Sequence, residues 1–115
     1  MSDQGQLRII SVNNRRIVEA RKLGQRKQRE SQRRFLVEGL QLVHMALDAR
    51  RIPLEVFYCP EQFVGPEAPT LLERARAAGA ELVAVSAQVM ASLCERDLPQ
   101  GLVATFALFE TPLDD

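Results

Sequence analysis

Four short runs rich in β-branched, aliphatic and aromatic residues alternate in this chain with stretches whose apolar residues recur at helical spacing. The runs lie at residues 35–37, 54–59, 81–85 and 102–109. The connections are too long for hairpins and suit single helices, so successive strands pair partly in parallel and helices cover both faces. The order α-β-α-β-α-β-α-β predicts an α/β protein. It would be a three-layer α/β/α sandwich with about four strands in a mixed, largely parallel sheet. At 115 residues and 46% hydrophobic composition the chain suits one compact domain, which at this size buries roughly two-thirds of its unfolded surface.

The first helix is expected over residues 11–23. Ser11, Asn13 or Asn14 can cap it, Ile17, Ala20 and Leu23 share a face, and Gly24 stops it. Residues 24–34 hold no apolar side chain, so they are expected to form a solvated loop or a frayed helix, and 25–34 read as a mobile basic loop. Were the helix to continue, Arg15, Lys22, Arg26, Arg29 and Arg33 would fall on one stripe. Phe35-Leu36-Val37 suits a buried strand that turns at Glu38-Gly39. A helix over 40–51 follows, with one apolar face at Leu40, Val43 and Leu47 and another at Leu42, Met45 and Ala49, hence covered on two sides. Thr70-Leu71-Leu72-Glu73 matches a capping box, with Pro66 available for an earlier start and Gly79 as the stop. Ser86 is expected to cap a short helix through about Glu95, and Pro99-Gln100-Gly101 to turn the chain into its last strand.

Formal net charge is zero, yet the distribution is uneven. From Arg8 to Arg34 ten Lys or Arg residues face only Glu19 and Glu30, a net +8, whereas residues 35–115 carry five bases and twelve acids, a net −7. A polyanion responds to potential within about 10 Å, so this segment points to RNA or DNA phosphate. Guanidinium groups grip phosphates bidentately and stack on unpaired bases. A solvated face would intersperse acids among the bases, and a targeting tail would not keep the helical spacing of Ile17, Ala20 and Leu23.

Other chemistry is thin. Cys59 and Cys94 lack close spacing and histidine partners, so they read as reduced, largely buried thiols rather than a metal site. His44 is the single histidine, at the edge of a helix face, and reads as a boundary residue. Glu38 reads as a partner fixing the strand-to-helix turn. No catalytic constellation and no glycine-rich phosphate loop is evident, so no catalytic, cofactor or metal residue is assigned. No stretch approaches the roughly 20 apolar residues of a membrane span, and the polar start lacks a signal-peptide core, so no membrane partner and a cytoplasmic location are expected.

Ser11-x-x-Asn14, Arg21-Lys22-Leu23, Lys27-x-Arg29, Phe35-Leu36-Val37-Glu38-Gly39 and Pro99-Gln100-Gly101-Leu102-Val103-Ala104 stand in a familiar order and spacing. Over about residues 7–108 they resemble the N-terminal substrate-binding domain of SpoU-type (TrmH-like) RNA ribose 2′-O-methyltransferases. The resemblance implies a sandwich akin to ribosomal proteins that bind kinked RNA. It also implies a following knotted domain that binds S-adenosylmethionine, dimerises, and carries an N-x-G-x-x-x-R type motif. Asn13 and Asn14 are the only asparagines and neither matches that motif. S-adenosylmethionine is therefore expected in the absent C-terminal domain and not here, as is the interface of a homodimer.

What the resemblance implies for this chain is RNA recognition. Asn14, Arg16, Arg21, Lys22, Lys27 and Arg29 match the family's polar and basic positions, while Val18 stands where a Lys is common. With the neighbouring Arg15, Arg26, Arg33 and Arg34 they make the candidate RNA-binding set. Glu38, Gly39, Gln100 and Gly101 are the candidate turn or interface residues. The expected organisation is a flexible N-terminus over 1–10, an RNA substrate-binding domain over 11–109, and the start of a linker over 110–115. The function so implied is substrate recognition for an S-adenosylmethionine-dependent ribosomal or transfer RNA 2′-O-methyltransferase, catalysis residing elsewhere. The alternatives are a stand-alone ribosomal-protein-like RNA-binding module and a protein-interaction module that docks through the helix over 40–51.

Overall fold

The computed structural model describes residues 8–63, 65–94 and 100–108. In chain order the elements are β1 (Arg8–Ile9), α1 (Arg15–Arg21), a 3-10 turn (Lys22–Gly24), α2 (Arg26–Gln32), β2 (Arg34–Glu38), α3 (Leu40–Asp48), β3 (Glu55–Tyr58), α4 (Ala68–Ala78), β4 (Glu81–Val85), α5 (Ala87–Leu93) and β5 (Leu102–Ala107). The five strands form one sheet in the order β1-β4-β3-β5-β2. β4 pairs in parallel with β1 and β3, and β5 pairs antiparallel with β3 and β2.

Strand alternation divides the core in two. Phe57, Val83, Val85 and Val103 face one way and meet Ile17 and Ala20 of α1 and Val89, Met90 and Leu93 of α5. Val56, Leu102, Ala104 and Phe106 face the other way and meet Val43 of α3 and Leu71 and Ala75 of α4. The sandwich has three layers, as the alternation requires.

The sheet is mixed, as expected, but among the described residues it has five strands rather than about four, and only half of its pairings are parallel. β1 lies in the stretch expected to be flexible: Ser86 N donates to Ile9 O at 3.0 Å, and Arg8 pairs with Glu61 at 2.8 Å. Two residues are too few to show a period, so only the partner strand reveals β1. β5 runs antiparallel to both of its neighbours, β3 and β2, so the pairings are two parallel and two antiparallel.

Three helices depart from expectation. Residues 26–32 form α2 instead of a mobile loop, although none of its side chains is buried. Arg, Lys, Gln and Glu are good helix formers, and polar tethers replace apolar packing. Gln32 Nε2 donates to Glu19 O at 3.0 Å and Arg29 Nη1 to Leu23 O at 2.9 Å. Gln25 is extended, with φ −102° and ψ 132°, so α1 and α2 are separate and the continuous stripe from Arg15 to Arg33 does not form. On α3 only the Val43 face is buried, and Leu42 and Met45 are 50% and 63% exposed; one layer covers it, not two. α4 begins at Ala68 with Pro69 in its first turn, so Thr70 lies inside the helix and its capping box does not form. A proline needs no amide partner there and presets the helical φ. Gly79, left-handed at φ 114°, does end α4, and Ser86 Oγ does cap α5 by accepting from Val89 N at 3.1 Å.

β2 is less covered than a buried strand: all five residues are half-buried, because it is an edge strand paired only with β5. Cys59 is buried and Cys94 half-buried, and neither is in a disulfide. Half-buried His44 Nδ1 accepts from Arg74 Nη1 at 3.1 Å. The expectations for residues 1–7, Glu95, Pro99 and Phe109 and for the linker at 110–115 lie outside the described residues. No helix among the described residues is long and apolar enough to cross a membrane.

Candidate nucleic-acid interface

The ten basic or polar candidates divide by what already holds them. Asn14 caps α1, its Oδ1 accepting from Arg16 N at 2.8 Å. Arg16 reaches across to the sheet: Nε pairs with Glu55 Oε2 at 2.7 Å, and Nη2 contacts Glu81. Arg34 Nη1 pairs with the other Glu55 oxygen at 2.7 Å. Thr105 Oγ1 donates to Glu55 Oε1 at 2.9 Å and accepts from Glu55 N at 3.2 Å. Glu55 thus joins α1, β2, β3 and β5, and Arg16 and Arg34 are committed to it. The hydrogen bond to Arg16 is also the first cause holding the Glu81 carboxyl below its usual range. Sequence reasoning missed Glu55, whose signal was an acid inside an apolar strand.

Lys22 of the 3-10 turn pairs with Glu19 of α1 at 3.4 Å, and Arg26 pairs with Glu30 within α2 at 3.5 Å, both largely exposed. Such pairs contribute about 0 to 1 kcal/mol and open readily to a stronger anion. Arg15, Arg21, Lys27, Arg29 and Arg33 have no carboxylate partner among the described residues. Arg15, Arg21, Lys27 and Arg33 are exposed and Arg29 is half-buried. Arg33 adopts the left-handed conformation that ends α2, at φ 60° and ψ 41°.

The candidate turn residues converge on α3. Gln100 Oε1 accepts from Leu40 N at 3.0 Å, and Gly39 N donates to Leu102 O at 3.1 Å. Gly39 sits at φ 109°, and a side chain there would meet Gln100 Oε1 at 3.1 Å. Gly101 is tighter: an added Cβ would lie 2.7 Å from Phe63 N. The two blocks, some sixty residues apart, therefore lock one another, which explains why glycine stands in both.

Two clefts open beside these residues, and half-buried Glu38 lines both. One, of about 500 Å³, lies at the start of α3 between Gly39, Gln62 and Gln100. The other, of about 440 Å³, lies between the 3-10 turn, β2 and the end of α5, with Arg21, Arg29 and Ser92 on its lining. The second brings together Arg21 and Arg29, two of the cations with no ion-pair partner among the described residues. No group of His, Cys, Asp and Glu suited to a metal occurs among the described residues.

The model of the MRM3-like substrate binding domain matches residues 14–104. The chain belongs to the MRM3-like substrate-binding domains. Solved structures agree. An RNA 2′-O ribose methyltransferase is 36% identical with a TM-score of 0.78, over 95% of this chain and 40% of that one. An AdoMet-bound rRNA methyltransferase from Sinorhizobium meliloti is 28% identical with a TM-score of 0.76, over 92% of this chain and 38% of that one. The SpoU methyltransferase AviRb from Streptomyces viridochromogenes, in complex with AdoMet, is 24% identical with a TM-score of 0.71, over 90% and 37%, a likeness of fold. No curated protein matches. The chain thus spans about two-fifths of these methyltransferases and corresponds to the substrate-binding domain of SpoU-type enzymes.

Proposed function

We propose that this MRM3-like domain binds a structured RNA and presents it for 2′-O-ribose methylation by a catalytic domain that uses S-adenosylmethionine. The observation that carries the reading is the set of five cations, Arg15, Arg21, Lys27, Arg29 and Arg33, that have no carboxylate partner among the described residues and lie on or at the ends of two successive short helices. Phosphate contacts position an RNA without reading its sequence, and holding a chosen ribose near the reacting methyl group is where such a domain contributes to rate. Lys22 and Arg26 join when their exposed acids are displaced. Ribosomal or transfer RNA is the substrate class that the relatives suggest, and the whole protein would act as a homodimer through its catalytic part.

Binding of an RNA stem-loop at a series of salt concentrations tests this. Five phosphate contacts give a slope of log affinity against log salt of roughly −3.5 to −4.5, and Lys27→Gln reduces its magnitude by roughly 0.7 to 0.9. Salt-independent binding, or none at low salt, removes the proposal. A protein-docking reading draws on the uncovered Leu42 and Met45 of α3. It predicts that charge reversal at Arg26, Lys27 and Arg29 leaves partner binding intact.

A further inference from the structure

We propose that the cleft between the 3-10 turn, β2 and α5 receives a single unstacked nucleotide of the bound RNA, a role that rests on the RNA-binding reading above. The cleft is about 440 Å³, within the range of small-molecule sites. Two arginines stand on its lining with their forks already oriented. Arg21 Nη1 donates to Val12 O at 3.2 Å and lies 3.5 Å from Ser92 Oγ, and Arg29 Nη1 donates to Leu23 O at 2.9 Å. Each guanidinium has five N–H groups, so anchoring one to a carbonyl leaves several for phosphate oxygens and reduces the rotamer freedom lost on binding. The remaining wall is apolar, supplied by Leu23, Leu36 and Leu93, and suits the face of a base that has left its stack. A base inside a duplex cannot reach that wall, because its faces are covered by its neighbours. The two guanidinium groups draw the phosphate, and the leucine wall takes the base.

Half-buried Cys94 also lines the cleft, whereas Cys59 is fully buried, so alkylation of Cys94 by iodoacetamide reports occupancy. The whole chain is alkylated alone, with a hairpin RNA carrying an unpaired loop, and with a blunt RNA duplex of equal length. The hairpin is expected to slow Cys94 alkylation severalfold and the duplex to leave it unchanged. Arg21→Gln is expected to weaken hairpin binding roughly tenfold, the equivalent of one charge-assisted hydrogen bond, and duplex binding much less. Arg15→Gln, on the same helix but away from the cleft, should weaken both alike. If hairpin binds while Cys94 stays equally reactive, or if Arg21→Gln weakens hairpin and duplex alike, the nucleotide site is overturned and RNA binding stands. If neither RNA binds at low salt, the RNA reading itself fails and the site with it.

Discussion

Glu55 shows how a side chain can matter more for position than for charge. It is nearly buried, accepts from Arg16 and Arg34 on opposite oxygens, and is bracketed by the Thr105 hydroxyl. Removing one partner of such a set leaves the others without compensation. Glu55→Ala is therefore expected to cost about 2 to 3 kcal/mol in urea unfolding, and to loosen α1 and the start of β2 together. At the opposite side of the domain, the Arg8 guanidinium is the first cause holding the Glu61 carboxyl down to about 2, with a further hydrogen bond from the Cys59 thiol. Burial, followed by the hydrogen bond to Glu61, pushes the Cys59 thiol up, so it should stay unreactive in the native state. Because the folded pKa of Glu61 lies below its ordinary 4.5, its favourable contribution is present above pH 4.5 and is lost as pH falls through about 2. NMR shifts of Ile9 and Ser86 amides followed from pH 6 to pH 2 should move together in that window. Amides unmoved across it would detach β1 docking from the Arg8–Glu61 pair.

At the scale of elements, α2 is the instructive case. Hydrophobic periodicity finds helices that bury a face, and α2 buries none. Its order comes from propensity and from Gln32 and Arg29 reaching backbone carbonyls of α1 and the 3-10 turn. Backbone NMR shifts of residues 26–32 should accordingly be helical in the absence of RNA. Arg33, held at φ 60°, carries the cost of a side chain in the left-handed region. Arg33→Gly should raise stability by about 0.5 to 1 kcal/mol while weakening RNA binding, an opposition that a denaturation series and a binding titration would reveal. No stability gain would mean that local contacts already relieve the strain.

For the whole molecule, the junction of Gly39, Gln100 and Gly101 joins β2, α3 and β5 at one place. Gly101→Ala combines a positive φ of 81° with a Cβ 2.7 Å from backbone nitrogen. A cost above about 2 kcal/mol is expected, with thermal melting as the measure; a near-neutral effect would mean that the segment at 62–63 yields freely. Much of this organisation was legible in the chain itself. Helical and alternating periods are local consequences of burial, so they placed the four longer strands, the Ser86 cap and the three layers. The resemblance of the Phe-Leu-Val-Glu-Gly and Pro-Gln-Gly blocks identified the domain. Tertiary structure alone decided which arginines are committed to Glu55 and which lack a carboxylate partner among the described residues, because an ion pair between residues tens of positions apart leaves no local period. It also decided that β1 is a strand, that β5 runs antiparallel, and that α2 is ordered, since each depends on a partner distant in sequence. Charge balance is written in the order of residues, but the surface that a polyanion meets is set by which of those charges the fold has already paired.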